Sequence, residues 1–269
     1  MIMDLSVKRT GIFSLRLCVF AVIKTLIQRH SCLPVIIALL LCSCGHLKDP
    51  EEVIIIGHFE NAAGKKILLS MLLPGETIRI DSSVISKKGT CSFTFKPENT
   101  GFYLLSVSGS QQIPIVTEKG ETINLSGDLK TKPNNFTITG SPGSSLLKDF
   151  FNYSDLNLKK ADSLTDILRH NQDKPGFYRM TRDFDPLFKK IMEDQRAFER
   201  RFILSHRYSI VSLVILNYHL GLKPVLSPME DFDLFLLLDS TLSARYPQNK
   251  QVIFHHQRVL EIQKGINSQ

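Results

Sequence analysis

The spacing of apolar residues changes once along this chain, near Ser141, and that change limits the folds open to it. Before it, apolar and polar residues alternate in short runs, clearly in Thr77-Ile78-Arg79-Ile80-Asp81 and Cys91-Ser92-Phe93-Thr94-Phe95. Alternation puts successive side chains on opposite faces, the period of a half-buried strand. Eight strands are expected: 53–60, 65–73, 77–85, 91–96, 102–107, 113–117, 122–125 and 136–139. Between them stand Asn61-Ala62-Ala63-Gly64, Pro74-Gly75, Lys87-Lys88-Gly89, Lys119-Gly120 and Pro133-Asn134-Asn135, which suit tight reversals. Short strands at this spacing predict an antiparallel β-sandwich or open barrel over residues 53–140.

After Ser141 the period becomes helical. Ser141-Pro142 is an N-cap followed by proline at the first helical position. Leu146, Leu147, Phe150 and Phe151 then share one face, and Phe184, Leu187, Phe188, Ile191, Phe198 and Phe202 share another. Pro186 is expected to start or kink the second of these helices. Ser209 to Leu220 is short and apolar and closes at Gly221. Ser227-Pro228-Met229-Glu230 has the form of a capping box, predicting a helix that begins there and stops at Tyr246-Pro247. A last helix is expected over about 249–264. The fold class is therefore α+β: a sandwich or open barrel followed by a bundle of about five helices over 141–269.

The 43 residues before Cys44 carry Lys8, Arg9, Arg16, Lys24 and Arg29 with one acid, Asp4, and two apolar runs. The second run is much shorter than the roughly 20 residues a spanning helix needs. Basic residues, a short apolar core and small residues before a cysteine predict an export signal over 1–43. Its end, Leu41-Cys42-Ser43-Cys44, resembles the lipobox of bacterial lipoproteins. That resemblance implies acylation of Cys44, a tether over 44–52 and a membrane partner reached through the lipid anchor. The expected location is the cell envelope, as an outer-membrane lipoprotein on the periplasmic or surface-exposed face. Of the formal charge of +7, five basic residues and one acid belong to the signal, which leaves +3. The remaining cations are scattered pairs rather than a basic face, so nucleic acid is not an expected partner.

Residue patterns for chemistry are sparse. No pair of histidines has the i, i+4 spacing with a glutamate between them, and His255-His256 are neighbours that point apart on a helix. After Cys44 the one remaining cysteine is Cys91, so no C-x-x-C exists, and Cys91 is expected as a buried small hydrophobe. Nucleophile-elbow, P-loop and dinucleotide fingerprints are not found. Asp183, Asp185, Glu230, Asp231 and Asp233 are read as helix-start acids that favour the dipole. No catalytic, cofactor-binding or metal-ligating residue is assigned, and a non-enzymatic role is expected.

Several stretches resemble the N-terminal module of Bacteroidetes TlpA/ResA-like thioredoxin-fold lipoproteins. They include Gly57-His58-Phe59-Glu60-Asn61, Ile80-Asp81-Ser82, Gly101-Phe102-Tyr103, Gly140-Ser141-Pro142-Gly143-Ser144 and, in the helical half, Arg245-Tyr246-Pro247. The resemblance implies a domain of unknown function made of a β-sandwich joined to helices, here without the family's thioredoxin domain. It implies a non-catalytic binding or scaffolding module with an envelope protein or a small ligand as partner. The alternative is an accessory or truncated member of a thiol-disulfide oxidoreductase system.

Overall fold

The computed structural model describes residues 49–108, 111–130 and 136–268, and these belong to one compact unit, Asp49–Gln269. The lipobox residues Leu41, Cys42, Ser43 and Cys44 lie outside the described residues.

Eight strands form where the alternation places them: β1 (Val53–Glu60), β2 (Lys66–Leu73), β3 (Glu76–Val84), β4 (Thr90–Phe95), β5 (Gly101–Val107), β6 (Gln111–Thr117), β7 (Thr122–Asp128) and β8 (Phe136–Thr139). They make two four-stranded sheets, ordered β4-β1-β7-β8 and β3-β2-β5-β6. The result is an open sandwich, not a closed barrel. One pairing departs from the antiparallel expectation: β1 and β7 run parallel, with Ile54 opposite Thr122 and Gly57 opposite Leu125. The chain returns to the first sheet twice, first as β4 antiparallel to β1 and then, after β5 and β6, as β7 parallel to it, a relation that alternation within a strand does not encode.

Inward residues of both sheets fill the sandwich core, with Ile55, Phe59, Ile67, Leu69, Leu105, Ile113 and Ile123 essentially without solvent contact. The second sheet is covered on its other face too. Phe102 and Val116, which point away from the sandwich, join a second core with Leu147, Phe150, Ile203, Ile215, Phe235 and Leu238 from the helices.

Five helices follow: α1 (Pro142–Asn171), α2 (Phe177–Ser205), α3 (Val211–Leu216), α4 (Phe232–Arg245) and α5 (Lys250–Asn267). A two-strand hairpin, β9 (His219–Leu220) and β10 (Lys223–Pro224), stands between α3 and α4. Ser141 caps α1 as its sequence predicts, accepting the Ser144 amide at 3.2 Å. The same start closes a sheet edge. Ser141 Oγ donates to the Val116 carbonyl at 2.7 Å, and Ser144 Oγ accepts the Val116 N–H at 2.9 Å and donates to its carbonyl at 2.8 Å. Two hydroxyls thus satisfy edge strand β6 where a further strand would otherwise pair. Gly140, at φ 85°, makes the turn into this cap, and a Cβ there would stand 1.9 Å from the Thr122 carbonyl oxygen.

Two helix starts differ from expectation. α2 begins at Phe177 behind Gly176, whose φ is 87°, so Pro186 lies inside the helix rather than at its head. Exposure of Pro186 makes this tolerable, because water can reach the carbonyl left without a donor. Ser227-Pro228-Met229-Glu230 forms a turn, and α4 starts only at Phe232. The reason is Asp231, fully buried, whose Oδ2 accepts the Ser227 N–H at 3.0 Å and holds the turn apart from the helix.

Candidate functional site: an apolar groove between sheet and helices

The outward face of the second sheet is not covered completely. α1, α3 and α5 leave a groove of about 540 Å³ over it, within the range of roughly 300–1,000 Å³ typical of small-molecule sites. Strand register explains its floor. Leu72 pairs with Phe102 across β2 and β5, and Leu104 pairs with Pro114 across β5 and β6, so Leu72, Phe102 and Pro114 belong to the same outward face. Pro114 fits there because β6 is an edge strand, where a missing N–H leaves no ladder partner unpaired. Leu147 and Phe151 of α1, and Leu213 and Val214 of α3, form apolar walls.

Helix α5 supplies the remaining wall and the polar groups. Its start is fixed twice: Asn249 Oδ1 accepts the Gln251 amide at 3.0 Å, while Asn249 Nδ2 donates to the Thr100 carbonyl at 2.5 Å. Gln251 Nε2 donates to the Leu72 carbonyl at 2.5 Å, fastening α5 to β2 at the groove's rim. One turn further along, Phe254 is half exposed and His255 turns inward. His255 Nε2 meets the Phe235 carbonyl at 3.1 Å, and burial lowers its pKa, which keeps the ring neutral. Arg258, another turn on, donates to Asn217 Oδ1 and lies 5.6 Å from the centre of the Phe235 ring.

A second hollow of about 850 Å³ lies at the other end of the sandwich, beside His58, Lys88, Gly89 and Asp128. Its lining mixes charged and polar side chains, Glu60, Asn61, Lys87 and Lys88 among them, with Phe59, Ala62 and Ala63. The groove offers the more selective surface, because apolar walls distinguish a ligand from water.

A buried polar cluster lies between α1 and α2. Gln195 Nε2 donates to Ser154 Oγ at 2.8 Å and to Glu199 Oε1 at 2.9 Å, and Gln195 Oε1 accepts from Asn157 Nδ2 at 2.9 Å. Glu199 has no solvent contact, and its Oε2 has no hydrogen-bond partner among the described residues. Burial, with a smaller push from the Asp231 charge and against the Gln195 hydrogen bond, lifts its carboxyl to a pKa of about 8. Nearby, Arg196 and Arg200 converge on Asp231 Oδ1 at 3.0 and 2.6 Å. Arg196 also pairs with Glu230, and Arg200 pairs with Asp233 at 2.8 Å.

Asp231 at the N-cap and Asp233 in the first turn of α4 stand at a helix start as read, but with Glu230 they also have another task. All three bind arginines of α2, and the available signal was the i, i+4 spacing of Arg196 and Arg200, which puts two guanidinium groups on one helix face. Asp183 and Asp185 are not helix-start acids, because α2 begins at Phe177 and its first turn holds no acid; Asp183 instead pairs within the helix with Arg179 at 3.9 Å. His255 and His256 diverge, the second meeting Asp239 at 2.9 Å on the surface. Cys91 lies in the sandwich core, opposite Gly57, and burial raises its thiol pKa.

Sequence comparison finds no match among curated proteins. Residues 53–147 match the model of a domain of unknown function, DUF4369, which runs from the start of β1 through the first turns of α1 and includes the groove's floor.

Proposed function

We propose that this chain is a membrane-anchored, non-catalytic binding module of the cell envelope, whose groove over the second sheet holds a small apolar ligand. The groove is the observation that carries the reading: a sheet face built from Leu72, Phe102 and Pro114, left open between α1, α3 and α5. The anchor rests on the lipobox-like Leu41-Cys42-Ser43-Cys44. Among the described residues no helix is long and apolar enough to cross a membrane.

A lipid on Cys44 would hold the module close to its bilayer. Four residues, Gly45 to Lys48, lie between Cys44 and Asp49 in the chain. From there the chain is pinned to the sandwich by Asp49–Lys96 and by Glu51–Lys119 at 2.7 Å. Val53 pairs with Phe95, and Phe95 lies 5.0 Å from Tyr103, so the tether enters at the end of the sandwich where β5 begins. The floor residues Leu72 and Phe102 stand at that same end.

The link to TlpA/ResA-like lipoproteins fits a sandwich that continues directly into helices. A role in thiol–disulfide exchange is the weaker reading, because the Cys91 thiol is buried and its pKa raised. Photo-crosslinking in cells tests the binding reading. A crosslinker at Phe254, on the groove wall, should gain a discrete small-molecule adduct, whereas one at the exposed Tyr178 should not. Equal labelling at both positions, or none at either, would overturn it.

A further inference from the structure

The groove's walls are apolar, yet it carries one full charge. Arg258 lines it, and no Asp or Glu does. Among the described residues Arg258 has no ion-pair partner within 4.0 Å; its guanidinium is met by a neutral oxygen, Asn217 Oδ1, and by the face of Phe235. His255 beside it is buried and held neutral, and the nearby carboxylate of Asp239 is engaged by His256. Arg196 and Arg200, by contrast, are each neutralised by two acids. A cation at the side of an apolar groove, with several N–H donors still available, suits a ligand that has an apolar body and an anionic end.

Resting on the reading of the groove as a binding site, we propose that its ligand is a single-chain amphiphile ending in a carboxylate, with the chain along Leu72, Phe102 and Leu213 and the carboxylate on Arg258. A guanidinium presents a planar pair of donors matched to both carboxylate oxygens, which an alcohol cannot use in the same way. Apolar contact sets affinity through chain length, and Arg258 selects the end group.

The test uses the full chain with Cys44→Ser, so that no acyl group is attached, purified without detergent. A fluorescent dansyl-undecanoate is the probe, displaced by octanoate, decanoate, decanol and decylamine. Decanoate should displace it at about tenfold lower concentration than decanol, and more strongly than octanoate by up to about fourfold per methylene. Arg258→Gln should weaken decanoate about tenfold and leave decanol unchanged, and Arg258→Lys should restore part of the difference. Val214→Trp, which fills the groove, should abolish binding of all of them. Equal binding of decanoate and decanol, an Arg258→Gln effect shared by both, or Val214→Trp binding unaltered would each overturn the proposal. Failure of every amphiphile, alongside a discrete adduct at Phe254 in cells, would reject this ligand class while the binding site itself stands.

Discussion

Replacing Glu199 with glutamine should change how stability depends on pH, and the structure fixes the sign. Glu199 is fully buried, with one oxygen bonded to Gln195 and the other without a partner among the described residues. Its carboxyl therefore keeps its proton in the folded chain until pH approaches about 8, against 4.5 for a free glutamate. Between those values the folded chain binds a proton that the unfolded chain has released, so stability falls as pH rises. The loss is close to zero at pH 4 and grows by about 1.4 kcal/mol per pH unit, reaching on the order of 3 kcal/mol at pH 7. Glu199→Gln keeps the acceptor for Gln195 and has nothing to ionise. It introduces an amide donor without a partner, which costs about 1–3 kcal/mol, but that cost is the same at every pH. The difference in stability between variant and parent should therefore move in the variant's favour by about 3 kcal/mol from pH 4 to pH 7. Urea unfolding at pH 4, 5.5 and 7 measures it as a relative midpoint shift of about 1 M, for a slope of about 2–3 kcal/mol per molar. A difference that stays constant with pH, or moves the other way, would refute the reasoning.

Other substitutions probe the framework around the groove. Asp231→Ala removes the buried one of the two acids on each of Arg196 and Arg200, leaving Glu230 and Asp233, and removes the acceptor of the Ser227 N–H, so urea unfolding should show a loss of about 2–3 kcal/mol, discounted for the partly exposed arginines. Gly140→Ala would force a Cβ against the Thr122 carbonyl at a positive φ and should lower the melting temperature by several degrees or prevent folding. Cys91 should resist alkylation in the folded chain and react at the rate of a free thiol in urea, because burial keeps it protonated and out of reach.

The two halves of the fold were legible in the sequence for a local reason. Each strand needs only its own alternation, as in β4, where Cys91 and Phe93 are buried and Ser92 and Thr94 exposed. Ser141 was readable for the same reason, since a cap lies within three residues of what it caps. What escaped was set by distant residues. Ser227-Pro228-Met229-Glu230 has every local mark of a helix start, but Asp231 is drawn to Arg196 and Arg200, more than 30 positions earlier, and the helix waits until Phe232. The parallel pairing of β1 with β7 depends on strands from the other sheet lying between them in the chain. The groove is hidden more deeply still. Leu72, Phe102, Leu147 and Leu213 lie within ordinary apolar runs of the sequence, and the sheet face between them stays open because of how three helices seat on it.

The central claim, that the groove holds a ligand, is met most directly by native mass spectrometry of the protein isolated from its own cells. The parent chain should carry a small adduct in about one-to-one proportion, and the Val214→Trp variant, isolated alongside and equally folded, should carry none. An adduct that persists in Val214→Trp, or a parent chain that is bare under conditions preserving noncovalent complexes, would contradict it.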